Sequence, residues 1–311
     1  MAFISVENLT TRYNTSKGLV HALEDVNFAI QEGESIGIAG ESACGKSTLG
    51  LSIIRMISNG KIYSGKIYFN GKSLLDISNS DFDKNVRWKE ISMVFQGAMN
   101  SLDPVFSIQQ QLEEVLKQHN FKGDMKKTIT DSLTSVNLDE SVLRKFPHEL
   151  SGGMMQRVVI AMSLILKPRF IIADEPTTAL DVLIQAQIIN LFKKLKKDGQ
   201  SFMIISHDLA VLSEIVEKIG IMYGGRIVEL GNSSEIFLEP KHPYTKGLLE
   251  SIPVLSKDIK PKYIPGTPPN LVNPVEGCMF YDRCPEAMDK CKKDPPKIKT
   301  KNGYVLCWLY E

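Results

Sequence analysis

Apolar and polar residues alternate along Phe3–Thr10 and again along Ala22–Ile30, the period-two pattern of half-buried strands, before a turn at Gln31-Glu32-Gly33-Glu34. The period then changes. Ser35–Ala39 is a short apolar run, as in a strand buried on both faces, and Thr48–Ile57 reads as a helix with its apolar side on the sheet. Gly65–Lys72 reads as strand and turn, with Asn70-Gly71 as a hairpin signal, and Ile91–Gln96 is an apolar strand ending in glutamine. From about 107 to 166 the spacing is helical: Ile108, Leu112, Val115 and Leu116 share one face, as do Ile129, Leu133 and Val136. Pro147 and the turn Ser151-Gly152-Gly153 punctuate this insert. Two further apolar strands, Phe170–Asp174 and Phe202–Ser206, flank an amphipathic helix over 182–197. Ile219–Glu229, with Gly224-Gly225 between its runs, reads as a hairpin, and the polar stretch from Pro261 to Pro274 reads as an ordered linker.

Composition adds bounds more than identity. The 311 residues, 43% hydrophobic and 23% charged, suit one large soluble domain or a domain of about 200 residues plus an appendage. A formal net charge of +1 gives no electrostatic case for nucleic acid. The cluster Lys193-Lys194-Leu195-Lys196-Lys197 fits a helix C-terminus, where cations are favoured. No apolar run approaches a membrane span, and the N-terminus lacks a basic region followed by an apolar one, so a cytoplasmic location is expected.

The chemistry centres on Gly40-Glu41-Ser42-Ala43-Cys44-Gly45-Lys46-Ser47-Thr48, which fits the phosphate-loop pattern between a strand and a helix. A glycine-rich turn at a helix N-terminus aims several backbone N–H groups and the positive dipole end at one spot, which suits a polyphosphate. Lys46 is expected to reach the β- and γ-phosphates, and the Ser47 hydroxyl to ligate Mg²⁺. Ala43 stands where many such loops carry glycine, and negative φ is expected there. The helix N-terminus and Lys46 are expected to lower the Cys44 thiol pKa. Phe170–Asp174 ends in two acids: Asp174 is placed to hold Mg²⁺ and Glu175 to accept a proton from the attacking water. His207 ends a strand expected beside that one, within reach of a γ-phosphate, and Tyr13 serves either as a packing residue or as an adenine stack.

Taken together, the phosphate loop, Gln96, Leu150-Ser151-Gly152-Gly153-Met154-Met155-Gln156-Arg157, Asp174-Glu175, Ala179-Leu180-Asp181 and His207 resemble the nucleotide-binding subunit of an ABC transporter over residues 1 to about 240. Asn100-Ser101-Leu102-Asp103-Pro104, His242-Pro243-Tyr244-Thr245 and the cysteine tail resemble, more narrowly, the dipeptide/oligopeptide importer ATPases over nearly the whole chain. The resemblance implies an α/β fold: a phosphate-loop (RecA-like) ATPase core with an antiparallel β subdomain, an inserted α-helical subdomain over about 97–166 and a C-terminal cysteine-rich extension. The ATP-binding domain would span 1–237 and the extension 238–311.

The same resemblance implies two subunits sandwiching two ATP molecules head to tail. Each site would use Lys46, Ser47, Gln96, Asp174, Glu175 and His207 of one chain, with Ser47, Gln96 and Asp174 around Mg²⁺. The signature residues Ser151, Gly152, Gly153 and Gln156 would come from the other chain, and Asp181 is a further residue expected at the nucleotide. Its implied partners are a second ABC ATPase subunit, two transmembrane permease subunits and an extracytoplasmic substrate-binding protein, with the chain peripheral on the cytoplasmic face of the membrane. Peptides are the expected cargo, with oligosaccharides or nickel as alternatives. A soluble ABC-type ATPase acting on ribosomes or DNA is the contrasting reading.

Cys278, Cys284, Cys291 and Cys307 follow C-x5-C-x6-C-x15-C, unlike the paired C-x2-C of zinc ribbons. So short and proline-rich a tail calls for a covalent or metal clip. Disulfides are disfavoured in a reducing compartment, and four thiolates satisfy either zinc or iron–sulfur. The resemblance to the importer tail favours a 4Fe-4S cluster.

Overall fold

The computed structural model describes residues 2–178, 180–252 and 262–311. Ala179 of the Ala179-Leu180-Asp181 motif and Pro261, where the linker was expected to begin, lie outside the described residues. The chain forms two compact units, Met1–Asp76 with Ile205–Glu311, and Ile77–Ile204.

In the first unit, β1 (Ile4–Thr15) pairs antiparallel with β2 (Gly18–Ile30), burying Ile4, Leu9, Leu23 and Val26. β3 (Ile36–Ala39) is buried at every position and leads through the glycine-rich loop into α1 (Lys46–Ile53). This helix is shorter than its apolar spacing suggests: Arg55 adopts φ 56°, a left-handed conformation that cannot continue a right-handed helix. β4 (Gly60–Phe69) and β5 (Lys72–Ser73) form the hairpin expected at Asn70-Gly71, where φ values of 49° and 75° match a type I′ turn. These strands make a sheet of order β2-β1-β4-β5.

The second unit carries α2 (Asn79–Asn85), β6 (Ile91–Val94), α3 (Ile108–Gln118), α4 (Met125–Ser135), α5 (Gly152–Leu164), β7 (Phe170–Asp174) and α6 (Val182–Lys197). β6 and β7 are parallel, and β8 (Ser201–Ser206) flanks β7, giving the order β8-β7-β6. Every residue of β6, β7 and β8 is buried, and Phe192 of α6 meets Phe202 of β8 edge to face at 5.2 Å.

The chain returns to the first unit within β8 and adds α7 (Leu209–Ile215), β9 (Lys218–Tyr223), β10 (Arg226–Asn232), α8 (Ser233–Leu238), α9 (Pro243–Glu250), β11 (Lys297–Lys299) and β12 (Tyr304–Leu306). β3 and β9 are parallel, β9 turns back into β10, and the order runs β11-β12-β10-β9-β3. Two three-residue strands of the tail therefore extend a sheet that begins beside the glycine-rich loop.

Candidate functional site

The glycine-rich loop owes its path to close backbone approach. A Cβ on Gly40 would lie 2.1 Å from the Met222 carbonyl oxygen, and one on Gly45 would lie 2.3 Å from that of Ala22. Both have positive φ, 154° and 108°, which glycine adopts without steric cost. Ala43 is also left-handed, at φ 63°, which corrects the expectation of negative φ. The loop reverses direction over so few residues that one non-glycine residue takes the strain, at about 1–2 kcal/mol.

Helix α1 starts at Gly45 with no side-chain cap, so its N-cap leaves the first N–H groups uncapped. The Lys46 ammonium is 6% exposed and donates to the carbonyls of Gly40 at 2.8 Å and Glu41 at 2.9 Å. Ser47 and Thr48 follow in the first turn, half-buried, while Ser42 and Ala43 are exposed. Cys44 is 5% exposed, and burial pushes its thiol pKa up against the opposing pull of Lys46. The expected lowering is thus overturned: desolvation of the thiolate outweighs the neighbouring charge.

Glu41 has the most elaborate surroundings. Its N–H donates to Tyr244 Oη at 2.8 Å, and its carboxylate accepts two hydrogen bonds from Arg283, at 2.7 and 2.8 Å. The sequence reading missed Arg283 and gave Tyr244 no role. The only signals were the His-Pro-Tyr-Thr motif and an arginine set among cysteines. His242 caps α9 with Nδ1 accepting from Tyr244 N at 3.0 Å, and Pro243 occupies the first helical turn. Tyr13 sits in β1 opposite Val20 and Gly60, half-buried, with Cδ1 2.7 Å from where a Gly60 Cβ would stand. His207 is exposed, one residue beyond β8.

The second unit holds the acids and the signature. Asp174 closes β7 at 2% exposure, and Glu175 follows at φ 48° with Oε2 accepting from Thr178 Oγ1 at 2.6 Å. A left-handed glutamate after a buried strand is strain of the kind that clusters at functional sites. Gln96, just beyond β6, is exposed. Ser151 caps α5, its hydroxyl accepting from Met154 N at 3.3 Å, while Gly152 begins the helix. A Cβ on Gly153 would lie 2.6 Å from Ile184 Cγ2 of α6, and Gln156 is buried at 4% exposure. Asp181 caps α6 by accepting from Ile184 N at 3.0 Å.

Among the tail cysteines there is no disulfide, and all four are free. Cys278 N donates to Cys291 O at 2.9 Å, and a Cβ on Gly277 would lie 2.5 Å from the Lys292 carbonyl carbon, so the backbone folds tightly on itself. Burial first, then the fields of Cys291, Cys284 and Cys307, push the Cys278 thiol up to about 11. The four thiols therefore feel one another. Among the described residues, no group of three or more His, Cys, Asp or Glu side chains is arranged to hold a metal ion as it stands.

Comparison with known proteins finds relatives over nearly the whole chain. The family model described as ABC transporter matches residues 23–178, and that described as oligopeptide/dipeptide transporter, C-terminal region, matches 228–291. The oligopeptide transport ATP-binding protein AppD of Bacillus subtilis (strain 168) is 43% identical, over 99% of this chain and 97% of its own length. The dipeptide transport ATP-binding protein DppD of the same organism is 41% identical, over 99% and 95%. Among solved structures, a dimeric post-hydrolysis state of the ATP-binding cassette MJ0796 bound to ADP and Pi superposes with a TM-score of 0.66 at 29% identity, over 74% of this chain and 98% of that one.

Proposed function

The chain belongs to the ABC transporter ATP-binding family, in its oligopeptide/dipeptide branch, and from that premise we propose how this transport ATPase works and what it moves. The observation that carries the reading is the start of α1, which has no side-chain cap and a buried Lys46 ammonium resting on loop carbonyls. A triphosphate offers that ammonium an opposite charge in place of neutral carbonyls, and it offers those N–H groups charge-assisted bonds, roughly twice as strong as neutral ones.

Gly40–Thr48 bind the β- and γ-phosphates, and Tyr13 stacks on the adenine. Ser47, Gln96 and Asp174 supply hard oxygen donors of the kind Mg²⁺ prefers. Mg²⁺, when bound, neutralises charge developing on the phosphates. Glu175 accepts a proton from the attacking water, and His207 supports the γ-phosphate. Ser151 and the N–H groups of Gly152 and Gly153 meet the γ-phosphate held by a second ATPase subunit, with Gln156 and Asp181 supporting that face. A dimeric relative holding ADP and Pi supports this arrangement.

Residues 1–237 form the ATP-binding domain, the helical insert over about 97–166 docks on permease subunits, and 238–311 form the cysteine-rich extension. Among the described residues no helix is long and apolar enough to cross a membrane; a place on the cytoplasmic face as a peripheral subunit is suggested by the transport ATP-binding relatives. Its companions are a second ATPase subunit, two permeases and a substrate-binding protein. Di- and oligopeptides are the cargo, as the roles of AppD in oligopeptide transport and DppD in dipeptide transport suggest. Cys278, Cys284, Cys291 and Cys307 would be the ligands of a 4Fe-4S cluster on the chemistry of the donor set, four free thiols, although their arrangement as it stands does not form a metal-holding group. A cluster bound there would clip the tail.

Vesicles carrying the assembled transporter test the function. Peptide uptake should require MgATP and this chain; uptake of oligosaccharide or nickel instead would reassign the cargo. Anaerobic purification should give a brown protein with about four irons per chain. One zinc and no colour would replace iron with zinc.

A further inference from the structure

Arg283 lies one residue before Cys284, yet its guanidinium is 8% exposed and engages Glu41 of the phosphate loop, 242 positions away. Nη1 donates to Oε2 at 2.7 Å and Nη2 to Oε1 at 2.8 Å, a two-pronged fork. Nε donates to the Pro265 carbonyl at 2.8 Å and Nη1 to Tyr223 Oη at 3.2 Å, so the fork is also oriented from outside the loop. On the backbone side, Tyr244 Oη accepts from Glu41 N, and the Tyr244 ring is fully buried, 4.5 Å from Tyr223 and 5.4 Å from Phe280. Glu41 is therefore held at its carboxylate and N–H by residues from the C-terminal part of the chain, and at its carbonyl by Lys46.

Two consequences follow for a bound triphosphate. A carboxylate in the second position of a phosphate loop repels the ligand, and partial burial leaves that repulsion poorly screened. Arg283 balances the carboxylate in place. Holding Glu41 on three sides also fixes the backbone before Ser42, so less order has to be imposed when the nucleotide arrives.

We propose that Arg283 is a positioning residue for ATP binding: it neutralises Glu41 and braces the phosphate loop, so that the cysteine-bearing tail sets the loop's affinity for the triphosphate. This rests on the assignment of Gly40–Thr48 as the ATP loop. A tail that merely anchors itself would alter melting temperature and leave nucleotide affinity unchanged.

The test is equilibrium binding of MgATP to the full chain, with melting temperature measured separately without nucleotide. Arg283→Gln should weaken binding about tenfold. Arg283→Lys, which keeps the charge and loses the fork, should fall between it and wild type. In a Glu41→Gln background the carboxylate that needed balancing is gone, so Arg283→Gln should there change affinity by no more than about twofold. Wild-type affinity in Arg283→Gln, even with a lowered melting temperature, would overturn the proposal. So would equal weakening in both backgrounds. Should Arg283→Gln fail to fold, Arg283→Lys measured in the same two backgrounds decides by the same criterion. A wild-type chain that binds no MgATP would instead strike the ATP-loop assignment itself.

Discussion

Helices α1 and α5 both begin at glycine-rich turns, and their beginnings are built differently. α1 starts at Gly45, left-handed at φ 108°, with no side chain on its first N–H groups. α5 starts behind Ser151, whose hydroxyl already accepts from Met154 N, and its second residue, Gly153, packs on Ile184. One start leaves donors for a ligand, and the other satisfies part of its own need. Such a difference suits two roles: a loop that holds the phosphate chain, and a self-supporting surface that meets a phosphate held elsewhere.

The largest effect should come from removing the chemistry while sparing both helix starts. Glu175→Gln is expected to lower turnover by ~10²–10⁴-fold with MgATP binding retained, read by phosphate release alongside equilibrium binding. Turnover at the wild-type rate would place proton acceptance elsewhere. Crowding the α5 start comes next. Gly153→Ala puts a methyl 2.6 Å from Ile184 Cγ2, and overpacking of this kind costs about 1–3 kcal/mol in denaturant unfolding. Ile184→Ala in the same chain should recover part of that loss.

On the α1 side acid should act through His242. His242 is 1% exposed, and burial lowers its pKa from 6.5 to about 3. Nδ1 accepts from Tyr244 N, the geometry of a neutral ring, with Lys246 nearby also opposing protonation. Below its ordinary pKa the unfolded chain binds a proton that the native chain refuses. The stability is therefore complete above pH 6.5 and is lost as pH falls towards 3, by about 1.4 kcal/mol per unit. Urea unfolding at pH 7.5 and 5.5 should show this loss, and His242→Gln should reduce it, leaving the part that half-buried His119 contributes in the same direction. Smallest of the four is Ser151→Ala, expected to cost about 1 kcal/mol of stability through the lost cap. Differential scanning calorimetry checks it, and α1 has no side-chain cap to lose.

Much of this was legible because its causes are local. The alternation in β1 and β2, the apolar run of β3 before the loop, and the turns at Asn70-Gly71 and Gly224-Gly225 all depend on neighbours within a few residues. Ala43 was misread because its left-handed φ follows from the path of the whole loop against Ala22 and Met222, which spacing does not encode. Cys44 was misread for a related reason: its neighbouring charges are visible in sequence, and the burial that overrides them is not. β11 and β12 are three residues each, too short for periodicity to register, and they exist because β10 offers an edge. The fork from Arg283 to Glu41 spans 242 positions, so no local pattern could announce it. In the candidate site the residue types were readable, while the three-sided hold on Glu41 needed the fold.

The start of α1 is left open for a triphosphate. Equilibrium dialysis of MgATP against the wild-type chain and Lys46→Ala tests it most directly, with thermal melting as the control for folding. One nucleotide should bind per wild-type chain, and a folded Lys46→Ala chain should lose that binding. Undiminished binding after that substitution would contradict it.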